Sequence, residues 1–215
     1  VSDVFPKWTN RIPMAIAIGV PVVAVGLVAA VNYWFSPRFT DVGYRPKQPI
    51  PYSHQLHAGQ MGMDCRYCHT TVERAAHAAI PPTATCVNCH RLIKPDAETI
   101  QPLLKSVDTG EAIKWVRVHQ LPGYCYFDHR AHLAAGVGCA TCHGRVDQME
   151  QVRLYAPLSM GWCLDCHRNP GPNLRPVSEI TNMAWDAKTA GYDWKTDPAR
   201  VRTLEPPQNC SGCHR

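Results

Sequence analysis

Cys65-Arg66-Tyr67-Cys68-His69 is a pentapeptide that the chain repeats four more times, as Cys86-Val87-Asn88-Cys89-His90, Cys139-Ala140-Thr141-Cys142-His143, Cys163-Leu164-Asp165-Cys166-His167 and Cys210-Ser211-Gly212-Cys213-His214. These five sites use ten of the eleven cysteines and five of the eleven histidines in 215 residues. At that composition, random placement gives about 0.03 such pentapeptides. Two thiols three residues apart reach two substituents on one porphyrin edge, and the adjoining imidazole reaches the metal beneath it; this is the attachment motif of c-type haem. Zinc knuckles need four ligands per ion and come in pairs, so five is the wrong parity, and they do not require a histidine after each second cysteine. A disulfide framework is normally shorter than this chain and cannot pair an odd number of cysteines internally. A thioredoxin-like redox pair occurs once and in a βαβ context that is missing here. The expected cofactors are therefore five covalently bound haem c, with Cys65, Cys68, Cys86, Cys89, Cys139, Cys142, Cys163, Cys166, Cys210 and Cys213 as attachment residues. His69, His90, His143, His167 and His214 are the expected proximal iron ligands.

Six histidines remain, against at most five distal positions, which suits six-coordinate iron and electron transfer better than chemistry at an open iron. No catalytic residue is expected. An internal duplication sharpens the ligand set. Tyr52-Ser53-His54-Gln55-Leu56-His57 ahead of Cys65 parallels Phe127-Asp128-His129-Arg130-Ala131-His132 ahead of Cys139, and Pro81 ahead of Cys86 parallels Pro157 ahead of Cys163. The offsets are 74 to 77 residues, so the chain holds a doubled di-haem unit, over about 50–124 and 125–168, with a fifth site at 210–214. Histidines at i and i+3 lie one turn apart on a helix, so one serves the haem of its own motif while its neighbour reaches the next. His54, His57, His129 and His132 are expected as distal ligands. His119, in the connector between the halves, is expected to ligate another iron, whereas His77 reads equally well as a surface residue. Met149 follows the third motif closely and is a thioether candidate, as is Met183 more weakly; a methionine ligand would raise that haem's potential.

Ile12 to Phe35 is 24 residues without a charge. As a helix it spans about 36 Å, enough to cross a hydrocarbon core of about 30 Å. Gly19, Pro21 and Gly26 are tolerated in lipid, and Trp8, Tyr33 and Trp34 suit its interfaces. The run is longer than the apolar stretch of a cleavable signal peptide. The expected layout is a cytoplasmic tail over 1–11, a transmembrane anchor over 12–35 and a haem domain over 36–215. Flanking charges do not decide orientation. Haem attachment outside the cytoplasmic membrane does, and it places the haem domain on the periplasmic side of the inner membrane. With 19 prolines and 14 glycines, the expected fold is mostly α with long loops, a class III-like multihaem c-type cytochrome domain plus one transmembrane helix. The porphyrins are expected to supply much of its core, and the stretch from Arg168 to Gln208 to run over the surface. The net charge of +5 is modest and makes no case for nucleic acid.

Several runs carry a resemblance. Pro49-Ile50-Pro51-Tyr52-Ser53-His54-Gln55-Leu56-His57, Trp115-Val116-Arg117-Val118-His119-Gln120-Leu121-Pro122, Cys142-His143-Gly144-Arg145-Val146-Asp147-Gln148-Met149-Glu150 and Pro157-Leu158-Ser159-Met160-Gly161-Trp162-Cys163 closely resemble the pentahaem cytochrome c subunit of bacterial alternative complex III. The resemblance implies electron transport in a respiratory quinol:electron acceptor oxidoreductase. This subunit would take electrons from a quinol-oxidising, iron-sulfur part and pass them to a monohaem cytochrome c subunit or a soluble acceptor. Its partners would be those subunits and membrane lipid. The family pattern favours Met149 over His77 as a ligand and has an aliphatic residue at the position of Cys125, which reads here as a buried free thiol. Two other readings remain: a free-standing multihaem quinol dehydrogenase, and a multihaem reductase.

Overall fold

A computed structural model describes residues 4–197 and 204–214. The first three residues of the expected tail, residues 198–203 of the 168–208 stretch, and Arg215 after the last motif lie outside the described residues. The chain divides into two compact units, Val1–Asp41 and Val42–Arg215.

In the first unit a 3-10 turn, Lys7–Arg11, leads into α1, Ile12–Trp34. α1 is apolar all round its circumference, and its valines, isoleucines and leucines are exposed on every face. A soluble helix of this length keeps one polar face; this one has a mean hydropathy of 2.6 over its best window and is long and apolar enough to cross a membrane. Its one internal amide side chain is satisfied locally, Asn32 Nδ2 donating to the Val28 carbonyl at 2.8 Å. Tyr33 and Trp34 pack on Phe39 of the short α2, Pro37–Thr40, with ring centroids 5.6 and 4.5 Å away.

The second unit is built from short helices separated by long connections: a π turn over Gln55–Gln60, α3 Cys65–Cys68, α4 Thr83–His90, α5 Gln101–Thr109, α6 His129–Ala134, α7 Cys139–His143, α8 Met160–Arg168 and α9 Cys210–Cys213. Among the described residues it has no strand, only isolated bridges between Cys125 and His214 and between Val137 and Leu174. Its buried apolar side chains are few: Ile50, Val87, Leu103, Leu133, Leu154, Ala156, Leu174 and Ile180. The one cluster among them, Ile50, Val87 and Leu103, packs α4 against α5. Eight such residues are far fewer than a unit of this length needs for a side-chain core, so other apolar material must share that role.

Each short helix has a local cause. The Cys-x-x-Cys-His pentapeptides begin or complete a single helical turn, closed by His69 N–H to the Cys65 carbonyl at 2.9 Å and His214 N–H to the Cys210 carbonyl at 2.8 Å. A polar residue caps several of these turns: the Asp64 side chain accepts from Arg66 N–H, Ser159 from Trp162 N–H, and Asn209 from Gly212 N–H. One turn sets positions i, i+3 and i+4 on one face, so both thiols and the imidazole project together. The expected distal histidines are capped in the same way. Asp128 accepts from Arg130 N–H at 2.9 Å, and Ser53, its repeat counterpart, accepts from Leu56 N–H at 3.1 Å. Gly144, after His143, has φ +66°, and a Cβ there would sit 2.6 Å from the Tyr155 ring, so the chain leaves the third motif by a path that favours glycine. Replacing Asp128 by alanine removes a helix cap and is expected to lower stability by about 1 kcal/mol. Denaturant unfolding of the haem-loaded protein measures it, and an unchanged midpoint would show that the cap contributes nothing.

Candidate haem-ligand sites

Two imidazoles that bind one metal ion from opposite sides, each with a nitrogen about 2 Å from it, place their ring centroids roughly 6 Å apart. Three pairs in the structure have this spacing. His57 stands 6.2 Å from His90, His129 stands 6.4 Å from His143, and His132 stands 6.1 Å from His167. In each pair one member closes a Cys-x-x-Cys-His motif and the other comes from the repeated histidine turn. His54 lies close enough to His69 to interact with it electrostatically. The repeat is therefore geometric as well as sequential: the first histidine of each turn faces the first motif of its half, and the second faces the second motif.

One ring nitrogen is tied down at almost every position. His57 Nδ1 meets the Ser53 carbonyl at 2.8 Å, and His132 Nδ1 the equivalent Asp128 carbonyl at 2.7 Å. His129 Nδ1 meets the Ala76 carbonyl at 2.8 Å, and His69 Nδ1 the carbonyls of Ala78 and Ala79 at 3.0 and 2.9 Å. His90, His167 and His214 meet the carbonyls of Ile93, Pro207 and Tyr124 at 3.1, 2.7 and 3.3 Å. A carbonyl only accepts, so Nδ1 carries a proton in all seven, and Nε2 is the nitrogen left to meet a metal. This is the outer support that metal-bound histidines ordinarily have. Aromatic rings fix the ring planes. Tyr52 lies edge-on to His54 at 4.8 Å and stacks on His57 at 4.5 Å, and Phe127 repeats this on His129 and His132 at 4.8 and 4.4 Å.

Burial favours the neutral form of His54, His132 and His143, the form that ligation requires. It pushes His54 down to about 4, with His69 and His57 adding to the effect, and His143 down to about 3. His132 is lowered for the same reason. His54 departs from its repeat partner in one respect: its Nδ1 is buried with no hydrogen-bond partner among the described residues.

The remaining residues of interest are placed as follows. His119 approaches His143 edge-on, with centroids 4.3 Å apart and its Nε2 3.2 Å from His143 Nδ1. His119 thus meets His143 at Nδ1, and it also lies close enough to His129 to interact with it electrostatically. His77 is exposed, between the carbonyls that hold His129 and His69. Met149 accepts through its carbonyl from Gln55 N–H at 3.0 Å and lines a cleft of about 280 Å³ with Gly144, Arg145, Arg153 and Tyr155. Met183 lies in the turn after Asn182, whose carbonyl accepts from Arg175. Cys125 is partly buried. Sequence reasoning missed Tyr52 and Phe127, although their equivalent places in the two repeats signal them. It also missed the carbonyls that accept from histidine Nδ1, for which no side chain gives a sign.

These residues fit haem and not zinc. Among the described residues no cluster of three or more His, Cys, Asp or Glu side chains is arranged to hold an ion, whereas zinc needs four such ligands and haem iron only two axial ones.

Comparison with known proteins agrees with this geometry. Residues 56–144 match the cytochrome c3 family, and residues 125–215 match the family of cytochrome c7 and related cytochrome c. The two matches overlap at the third motif, and the second begins where the repeat restarts. The menaquinone reductase multihaem cytochrome c subunit of Nitratidesulfovibrio vulgaris (strain Hildenborough) is 35% identical over 122 residues, which are 55% of this chain and 56% of that protein. The chain thus spans about half the length of the curated relative it matches. The chain therefore carries multihaem cytochrome c3 and c7 domains, over residues 56–144 and 125–215, mostly helical and without strands among the described residues, of a class that binds haem c covalently.

Proposed function

We propose that this chain is a membrane-anchored, five-haem electron conduit within a quinol:electron acceptor oxidoreductase of the alternative complex III type. The observation that carries the reading is the set of histidine pairs spaced 6.1–6.4 Å apart, each ending on an attachment motif. Bound haem c supplies one-electron chemistry at these positions. The chain's own residues hold the rings, exclude water from them and fix their protonation. His57, His129 and His132 serve as distal ligands to the irons of the second, third and fourth motifs, and His54 to that of the first. His119 acts through His143, accepting the proton of its Nδ1, and Met149 is the thioether candidate for an iron. With its iron positions filled by side chains, the chain moves electrons and leaves substrate chemistry to its partners. α1 anchors it in the cytoplasmic membrane, with the haem domain on the periplasmic side where haem attachment occurs. Partner subunits include an iron-sulfur protein on the quinol side and a monohaem cytochrome c on the acceptor side.

The name of the relative favours a second reading, a complex in which electrons pass toward menaquinone. The two are separated by purifying the complex through this chain. Reduction of its haems by quinol, with onward transfer to a one-electron acceptor, is the result expected here. Net quinone reduction with no quinol-driven haem reduction would select the second reading. Quinol oxidation by the isolated chain would contradict both and favour a free-standing dehydrogenase.

Mass spectrometry of the mature chain should give the polypeptide plus five haem masses, and fewer would remove motifs from the conduit. His119→Phe takes away the acceptor at His143 Nδ1, weakens the imidazole as a donor, and should raise one midpoint potential without loss of haem. An unchanged redox titration would limit His119 to packing. Met149→Ala should lower one potential or render one iron high-spin, and an unaltered titration and spectrum would take Met149 out of the ligand set.

A further inference from the structure

The five attachment turns are joined in space in an order that differs from their order in the sequence. Motifs one and two are joined because their distal histidines, His54 and His57, share one turn under Tyr52. Asn88, inside the second motif, also donates to the hydroxyl of Tyr67, inside the first, at 3.2 Å. Motifs three and four are joined in the same way, through His129 and His132 under Phe127.

The two halves meet through their first motifs. Cys139 N–H donates to the Ile180 carbonyl at 3.0 Å, and the next residue, Thr181, donates through Oγ1 to Asp64 Oδ2 at 3.1 Å, the residue that caps the turn beginning at Cys65. The Cys65 and Cys139 side chains lie close enough to interact. His129, which faces the third motif, takes its Nδ1 acceptor from Ala76, two and three residues before the carbonyls that hold His69 of the first. Motif five is joined to motif four. His167 Nδ1 donates to the Pro207 carbonyl at 2.7 Å, three residues before Cys210, and the Cys213 carbonyl accepts from Tyr126 N–H at 2.7 Å, next to Phe127.

We infer that the attachment sites form a single file in the order two, one, three, four, five, with the second and fifth motifs at its ends. The inference rests on the five-haem reading and deepens it. A head-to-head join of two di-haem units leaves the second motif of each half facing outward, and the fifth motif extends only one of those two ends. Beside the free second motif, Arg91 is exposed, Leu92 is 87% exposed and Ile93 is 52% exposed, so no further attachment turn covers this end among the described residues. Each step along the file passes one electron from a ferrous to a neighbouring ferric site, with no bond made or broken. The quinone-linked partner and a one-electron carrier stand at its ends.

Locating the irons by anomalous scattering, or in a cryo-EM map of the full chain in its complex, tests the order. The expected result has nearest neighbours two–one, one–three, three–four and four–five, with two and five the farthest pair. A second-motif iron nearest to the third, fourth or fifth would overturn it. A motif with no iron and no thioether mass would instead overturn the five-haem reading, so the two failures are distinguishable. A solution measurement adds a kinetic arm. In a Cys125→Ser background, a photoreductant is attached at Leu92→Cys or at Gln208→Cys, and a His132→Met substitution marks the fourth site spectrally. Reduction of the marked site should be several-fold faster from Gln208 than from Leu92. Equal or reversed rates would overturn the order.

Discussion

An imidazole that offers Nε2 to a metal must place the proton of Nδ1 somewhere, and inside a protein that means an acceptor held at the right distance and angle. Most of the local folding of the haem domain answers this demand. Seven histidines give Nδ1–H to backbone carbonyls, and those carbonyls belong to turns whose shape depends on the same histidines. Ser53 and Asp128 show how compact the arrangement is. Each caps its turn through the side chain and accepts from the histidine four residues on through the main chain. The cap and the ligand support are therefore one structure.

This explains how so small a side-chain core suffices. Eight buried apolar residues do not by themselves order a unit of this length, and the short helices do not propagate far enough to be stable alone. The macrocycles of a multihaem cytochrome supply apolar area between the turns. Covalent attachment at the two thiols of each motif, and ligation by its histidine, would in turn fix the turns. α1 stands apart from this logic: its valines, isoleucines and leucines are exposed on every face, and it is long and apolar enough to cross a membrane.

Much of the site was legible in the sequence because it is written in side chains. The five pentapeptides identify themselves, and the duplicated histidine turns announce the distal set by recurring 75 residues apart. The way distal and proximal rings pair was not legible, since His57 passes over the motif nearest to it in sequence and faces His90. Neither was the approach of His119 to His143 Nδ1 at 3.2 Å, because a histidine that meets another ring looks in a sequence like any other histidine. The carbonyl acceptors at Ala76, Ala78, Ile93 and Pro207 leave no trace in residue identity. The order of the sites was hidden for a similar reason, as it depends on contacts such as Thr181 with Asp64, across 117 residues of chain.

The central claim is that histidine pairs, held by carbonyls at Nδ1, take both axial positions of the irons at the second, third and fourth motifs. Electron paramagnetic resonance of the fully oxidised protein, with the near-infrared magnetic circular dichroism that distinguishes axial ligand pairs, tests it most directly. The account predicts low-spin, bis-imidazole signals amounting to at least these three irons. High-spin iron, or histidine–methionine signatures, in place of those three would contradict it.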